Sequence, residues 1–485
     1  MAVWLDLEDL VRYFHHDSRP TGIQRLSFEV CRELWRLGGA QGEVKFCRHA
    51  GTSSGFRTIH FPSLEAGILA ASASAIVAAP VSKPAALAPQ PTTRAPNGLV
   101  MRIAGSGHRF PPHIRRPLGV IGRAIVQILD ALPDLARAAK QEITPGNAQR
   151  IQIGGHQFDL EGDDAVFLPG DWLVNLGANW ETPYNSDTFE FLRTHNVRLA
   201  VLAHDLIPEL FPEWAVKANV KNYRAWLRSS VMESSQLFAV SKSTASDLVE
   251  CLEKMGKSVP PPVVLPVGSL PQPEPSLDVP ASVEPGRPYV LLVSTIEIRK
   301  NHTLMFRIWR RLLRCLPAER VPDLVFAGKV GWLTADLMQQ LENCDWLDGR
   351  IRFVSSPSDS ELAALYRGCL FTVFPSLYEG WGLPVTESLR FGKMVAASNR
   401  ASIPEAGGAF CAYYDPENVD EAYEVIRGLI EQPERVTAME DRIETSYHPP
   451  SWADTAAALL NALLPEPVAV LEPSSSQISF PVDAD

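Results

Sequence analysis

Two α/β domains, each a parallel sheet flanked by helices, are what this sequence predicts. Three observations lead there. A chain of 485 residues is longer than one hydrophobic core usually supports. Short runs rich in Val, Leu and Ile alternate with helical patterns, which is the signature of βαβ units. A proline-dense stretch from Pro260 to Pro288, without a long apolar period, divides that alternation in two.

The elements follow in order. Val3-Trp4-Leu5-Asp6 reads as a short buried strand, and Thr21-Gly22 as a turn into a helix through Phe28, Val30, Leu34 and Trp35. Residues Pro62 to Asn97 are Ala, Pro, Ser and Thr with scarcely a charge, and are expected to be an inserted flexible loop. A basic stretch follows in which Arg102, Arg109, Arg115, Arg116, Arg123, Arg137 and Lys140 face only Asp130 and Asp134, a local net charge of +5. Ala165 to Gly170 and Val197 to Leu202 read as strands buried on both faces, with Gln236 to Ser241 as another between helices at Glu213 to Glu233 and Ser243 to Met255. Beyond the linker, strands are expected at Tyr289–Ser294, Leu324–Ala327, Ile351–Val354, Leu370–Phe374 and Met394–Ala397, and helices at Leu304–Leu316 and Glu361–Tyr366. The resulting division is 1–270, with an insertion at about 60–150, then 285–465, then a disordered tail at 466–485.

Composition narrows the function classes. An apolar fraction of 46% with 21% charged residues is that of a soluble globular protein, and a formal charge of -11 argues against general nucleic-acid binding. Seven cysteines lie singly, with no C-x-x-C pair, which fits reduced thiols and a cytoplasmic compartment. The N-terminus begins with acids where a secretory leader would need basic residues, and the apolar stretch Ala66 to Pro80 is too short to span a bilayer.

Chemistry concentrates in Phe374-Pro375-Ser376-Leu377-Tyr378-Glu379-Gly380-Trp381-Gly382-Leu383-Pro384-Val385-Thr386-Glu387, where two glutamates stand eight positions apart. A strand ends at Phe374, Gly380 and Gly382 let a ligand approach the backbone, and Pro384 suits a helix start, whose amides and dipole favour a phosphate. Any such glutamate pair can equally be solvated helix-flanking acids. Val293-Ser294-Thr295-Ile296-Glu297-Ile298-Arg299-Lys300-Asn301-His302 places two adjacent cations after a strand, suited to neutralising a diphosphate leaving group or simply solvated on a turn. In Leu202-Ala203-His204-Asp205 a histidine follows a buried strand, at the sheet edge where α/β proteins bind ligands; a structural hydrogen-bonding role is the alternative. Ser243 or Thr244 is expected to cap the helix after Ala239-Val240-Ser241. No D-x-D element or His/Cys ligand cluster stands out, and Asp163-Asp164 reads as an exposed turn.

The Glu-x7-Glu stretch resembles that of retaining glycosyltransferases of the GT-B fold, in particular family four (glycosyl transferases group 1), with its many mannosyl- and glucosyltransferases. The resemblance is strong over 289–410, moderate over 165–270 and weak over the first 40 residues; it does not cover 50–150. It implies two Rossmann-like domains facing each other across a cleft. Glu379 would then lie near the donor sugar, Glu387 would bind the ribose, Lys300 would hold the phosphates, and His204 would approach the sugar from the other domain. Thr295 stands where many members carry an arginine, and Arg299 is the residue able to replace its charge. Gly22, with Arg19 and Arg25 beside it, corresponds to the first loop bordering the acceptor and donor phosphates.

The implied reaction is hexose transfer from a nucleotide sugar to a hydroxyl with retention, with no metal cofactor. GDP-mannose is the first expectation for the donor and a UDP-sugar the second. The expected acceptor is a glycan, lipid-linked chains of polysaccharide or lipopolysaccharide assembly included, and the basic stretch at about 100–140 could meet an anionic membrane surface or pack on the first domain. Two other readings remain at this stage: a sugar-nucleotide epimerase of the same fold, and a non-catalytic carbohydrate-binding or assembly subunit.

Overall fold

The computed structural model describes residues 1–17, 22–39, 42–49, 55–77, 151–153, 156–158, 160–269, 283 and 286–464. The basic stretch, Arg19, most of the inserted segment and the tail lie outside them. Residues 1–72 and 151–485 belong to one compact unit, and of the second unit, 73–150, only the end of a helix is described.

The N-terminal half uses strands β1 (Val3–Asp6), β2 (Val44–Arg48), β3 (Arg57–Ile59), β4 (Ile151–Ile153), β5 (His156–Phe158), β6 (Glu161–Asp164), β7 (Trp172–Asn175), β8 (Arg198–Ala203), β9 (Gln236–Ala239) and β10 (Val263–Val264). Eight of them form one sheet in the order β10-β9-β8-β7-β1-β2-β3-β6, parallel from β10 to β2 and antiparallel at the β3 and β6 edge. Val3 lies between Val44 and Trp172, so every residue of β1 is buried between neighbours and both faces are covered. The helices that matter here are α1 (Glu8–His16), α2 (Ile23–Leu34), α3 (Phe61–Val77), α4 (Ile207–Leu210), α5 (Lys217–Trp226) and α6 (Lys242–Lys254).

Several expectations are corrected. Residues 165–168 are not a strand: Val166 and Leu168 are exposed, and Asp171 accepts from the Leu168 amide to close a turn, with Gly170 at φ 92°. The strand begins only at Trp172. Asp163 and Asp164 lie in edge strand β6 instead of a turn. The Ala-rich segment opens as helix α3, because Phe61, Leu64, Ile68 and Ala71 recur on one face and bury it, Phe61 stacking on Phe46 at 4.5 Å. Helix α6 is capped by Ser241, whose hydroxyl accepts from the Thr244 amide, so the cap stands two or three residues earlier than expected.

The C-terminal sheet contains β11 (Tyr289–Val293), β12 (Asp323–Gly328), β13 (Ile351–Ser355), β14 (Thr372–Phe374), β15 (Val395–Ser398) and β16 (Cys411–Tyr414), all parallel, in the order β13-β12-β11-β14-β15-β16. The order reverses between β11 and β14, and ligands bind α/β sheets at such a switch point. Helix α7 (His302–Cys315) follows β11, α8 (Asp359–Gly368) follows β13, α9 (Leu383–Arg390) follows β14, and α10 (Ile403–Gly407) follows β15.

The last described helix, α11 (Trp452–Leu463), returns to the first half. Its Trp452, Ala456, Leu459, Leu460 and Leu463 join the core of β1, α2 and α3, and the Leu463 carbonyl accepts from the Trp172 indole at 2.8 Å. A sequence division ending at 465 assigns this helix to the second domain, because linear order does not show that its apolar face packs on the first.

Candidate active site

The switch point brings the two motifs together. After β11 the backbone bridges to Val330 through Ile296, then makes a 3-10 turn at Ile298–Lys300, with Asn301 left-handed at φ 54° before α7. That turn points Arg299 and Lys300 at the loop after β14. Arg299 bridges Glu297 at 2.7 Å and Glu379 at 2.5 Å and donates to the Tyr378 carbonyl at 3.0 Å. Lys300 donates to the other Glu379 oxygen at 2.6 Å and sits 5.4 Å over the Phe374 ring.

Burial works against charge in all three, and the pairing decides the outcome. Glu379 is held down at about 2, because Arg299 and Lys300 outweigh the burial that would raise it. Arg299 is pushed above its ordinary value by Glu379, Glu297 and Asp205 in spite of burial. Lys300 falls below its ordinary value, first through burial and then through repulsion from Arg299, against the pull of the acids. The cluster thus pairs a carboxylate held low with one cation pushed up and one pushed down, and a further anion beside Lys300 would favour its charged form.

Glycines in the Glu379 loop serve two purposes. A Cβ on Gly380 would overlap the His204 carbonyl oxygen, so the absent side chain permits the two domains to meet there. Gly382 sits at φ 107° as the N-cap of α9, a left-handed position that glycine occupies without strain. Pro384 lies in the first turn beside Leu383, and Val385 points into the second core. Trp381 packs against the cores of both domains, and the Ser402 hydroxyl donates to the carbonyls of Glu379 and Trp381, fixing the loop.

Glu387 falls one turn into α9, apart from Glu379, with Tyr366 at 3.0 Å and Arg25 of the first domain at 3.5 Å. Arg25 also pairs with Asp359 at 3.1 Å. The residue expected in a phosphate loop is therefore engaged by acids of the opposite domain. Gly22 caps α2 at φ 52°, ψ -115°, with open space around a would-be Cβ.

From the N-terminal sheet, His204 follows β8 and bonds the Leu176 carbonyl through Nε2 at 2.7 Å; burial lowers its pKa to about 4, so the ring is neutral with its proton on Nε2. Its structural hydrogen-bonding role is observed. Its backbone, not its ring, makes the contact with the Glu379 loop. Thr295 does not join the charge cluster: a Cβ on Gly331 would lie 2.8 Å from its methyl group, so it packs under the loop after β12.

Sequence reasoning missed Ser402, Tyr366, Asp359 and the ion-pair role of Glu297. Glu297 lay inside the quoted motif and its two-residue spacing to Arg299 was a usable signal. Ser402 and Asp359 are single polar residues at the starts of two other helices and carried none. Asp9 was missed too. Its carboxyl is pushed up to about 6, chiefly by burial with Glu181 and Asp6 adding, and a Cβ on Gly177 would lie 2.5 Å from it.

Residues 278–445 match the family described as Glycosyl transferases group 1. This segment is therefore similar to group 1 glycosyltransferase domains. The chain is similar to O-antigen chain mannosyltransferase B of Escherichia coli, 32% identical over 170 residues that cover 35% of this chain and 39% of that protein. Against serotype-specific mannosyltransferase WbdA of Escherichia coli it is 24% identical over 296 residues, 58% of this chain and 35% of that one. The chain thus spans well under half the length of these curated relatives. Among solved structures, Anabaena HepE in complex with UDP aligns over 60% of this chain and 78% of its own, with 15% identity and a TM-score of 0.45. With its two parallel-sheet domains and the group 1 domain in the second, the chain has the GT-B fold that its motifs implied. Among the described residues no helix is long and apolar enough to cross a membrane.

Proposed function

We propose that the chain is a retaining mannosyltransferase that moves mannose from GDP-mannose to a hydroxyl of a glycan in polysaccharide or lipopolysaccharide assembly. The observation that carries the reading is the ion-paired group Arg299, Lys300 and Glu379 at the switch point of the group 1 domain. Lys300, with Arg299 and the first turn of α9, would neutralise the diphosphate as it leaves. That would make a metal unnecessary. Glu387 would take the ribose, displacing Arg25, and Glu379 would orient the sugar. His204, neutral and fixed through Leu176, would line the sugar from the first domain. The mannosyltransferase relatives support the sugar, and GDP over UDP follows from that choice.

The test titrates the full chain with GDP, UDP and ADP in EDTA, repeats this on Lys300→Ala and Glu387→Ala, and then follows GDP-mannose consumption by NMR of the anomeric proton. GDP binding that both variants lose, with an α-linked product, supports the reading. UDP binding alone moves the donor to a UDP-sugar. Loss of activity in EDTA removes the metal-free mechanism, interconversion of free nucleotide sugar without acceptor points to an epimerase, and no nucleotide binding points to a non-catalytic subunit.

A further inference from the structure

Beside Glu379 an aromatic strip leads out of the site, and neither the proposed chemistry nor the fold's core uses it. Tyr378, whose carbonyl accepts from Arg299, lies 5.1 Å from the Phe211 ring in the chain that follows α4. Phe211 stacks on Trp214 at 4.2 Å and 13°. The Trp214 carbonyl in turn accepts from the indole of Trp332, in the loop after β12, at 2.9 Å. Trp332 is 44% exposed, and Leu333 next to it in the chain is exposed as well. Both domains contribute, and large apolar groups left in water on a well-packed protein mark a binding surface.

The strip is tied to the phosphate turn. The Ile296 amide donates to the Lys329 carbonyl at 2.7 Å, the Gly331 amide donates back to Ile296 at 2.8 Å, and Lys329 reaches Asp17 of the first domain at 3.0 Å. A ligand on Trp332 would therefore lie on a loop whose position follows that of Arg299 and Lys300.

We propose that Phe211, Trp214, Trp332 and Tyr378 form a stacking subsite for a pyranose unit of the glycan acceptor, at a distance from the hydroxyl that receives the sugar. The proposal rests on the glycosyl-transfer reading for its direction, because the strip begins at the residue before Glu379. The apolar CH face of a sugar ring covers a flat aromatic face, and its hydroxyls need a polar rim. That rim exists. Asp17 with Lys329, Glu209 with Arg224, and Asp247 at the Tyr378 hydroxyl intersperse acids with bases. An anionic bilayer would call for a predominantly basic surround, which this is not.

The experiment titrates α-linked mannose and maltose oligomers of one and four units into the full chain with GDP or UDP present. The tetrasaccharide of one series is expected to bind roughly tenfold more tightly than its monosaccharide, and Trp332→Ala to abolish that advantage while leaving nucleotide affinity unchanged. Trp332→Phe, which keeps a ring, is expected to retain it. Equal affinity at both lengths, or an unaltered advantage in Trp332→Ala, overturns the proposal. So does pelleting with anionic vesicles that Trp332→Ala alone removes. Length-dependent binding lost in Trp332→Ala, in a chain that binds no nucleotide, would uphold the subsite and reject the transfer reading.

Discussion

The two sides of the site solve the burial of polar groups in opposite ways. In the C-terminal domain Arg299, Lys300, Glu297 and Glu379 are buried as charges and compensate one another within one strand-end turn and one loop. In the N-terminal domain two buried groups are instead shifted toward their neutral forms: burial lowers His204 to about 4, and burial, with Glu181 and Asp6, raises Asp9 to about 6. A charged network can receive and release a diphosphate without rearranging, whereas a neutral wall suits sugar hydroxyls and excludes competing ions. On the proposed transfer reading, the charged side would take the leaving group and the neutral side the transferred sugar.

The largest expected effect falls on the charged side. Lys300→Ala should lower the transfer rate about 1,000-fold, the scale of losing one preorganised donor to a developing anion, measured as initial rate at saturating donor. A decrease under tenfold would mean that Arg299 alone carries the phosphates, and the contrast between the two sides would lose its basis.

Next comes the contact between them. Gly380→Ala must move the Glu379 loop away from the His204 carbonyl, with about 1–3 kcal/mol of overpacking and, through displacement of the order of an ångström, a rate loss of about 100-fold. Thermal unfolding and initial rates read the two parts separately. Full activity in this variant would show that the loops need not touch during turnover.

The neutral side is probed by pH. His204 binds a proton at about 4 in the fold and at about 6.5 unfolded, so its contribution is complete above pH 6.5 and is lost as pH falls toward 4. Relative to His204→Gln, which does not titrate, the native chain should lose about 3 kcal/mol over that interval, followed by chemical denaturation at stepped pH. Parallel curves would mean that the ring is charged in the fold. His302, lowered to about 3 by burial and by Lys300, acts with the same sign and is common to both proteins.

The smallest effect has the opposite sign. Asp9 has its folded pKa raised to about 6, so the fold bears a cost that is absent below about pH 3.8, grows between 3.8 and 6, and is full above 6. Asp9→Asn, whose amide oxygen can still accept from Ala178, should gain up to about 3 kcal/mol at pH 7 and almost nothing near pH 4. Destabilisation at pH 7 would show that the carboxylate, and not its burial, is what the N-terminal wall requires.

Legibility in the sequence differed between the two sides for the same reason. The charged side is built by local chain: the turn at 298–300 and the loop and helix start at 374–387 each follow closely on a strand end, so motif spacing together with the family resemblance exposed Arg299, Lys300, Glu379 and Glu387. The neutral side is built by distant chain. Asp9, Gln24 and Gly177 meet only after β1 and β7 pair, and a buried aspartate looks the same in sequence as an exposed one. Five of the six strands of the second sheet were legible where apolar runs are continuous, and β16, Cys411–Tyr414, with its polar tyrosines, was not expected. Strand reading also failed at 165–168, where an apolar run ends in a turn held by the side chain of Asp171.

By itself the sequence determined most of the alternation of strands and helices and the residues that carry charge to the switch point, because periodicity, turn chemistry and motif spacing are local properties. Tertiary structure alone decided that α11 completes the first core, that Gly380 is a point of contact between domains, that Arg25 meets Glu387, and that four aromatic residues from three loops line up beside Glu379. Each of these depends on which surfaces bury against which. That choice is made by packing between segments far apart in the chain, and no window of sequence contains both partners.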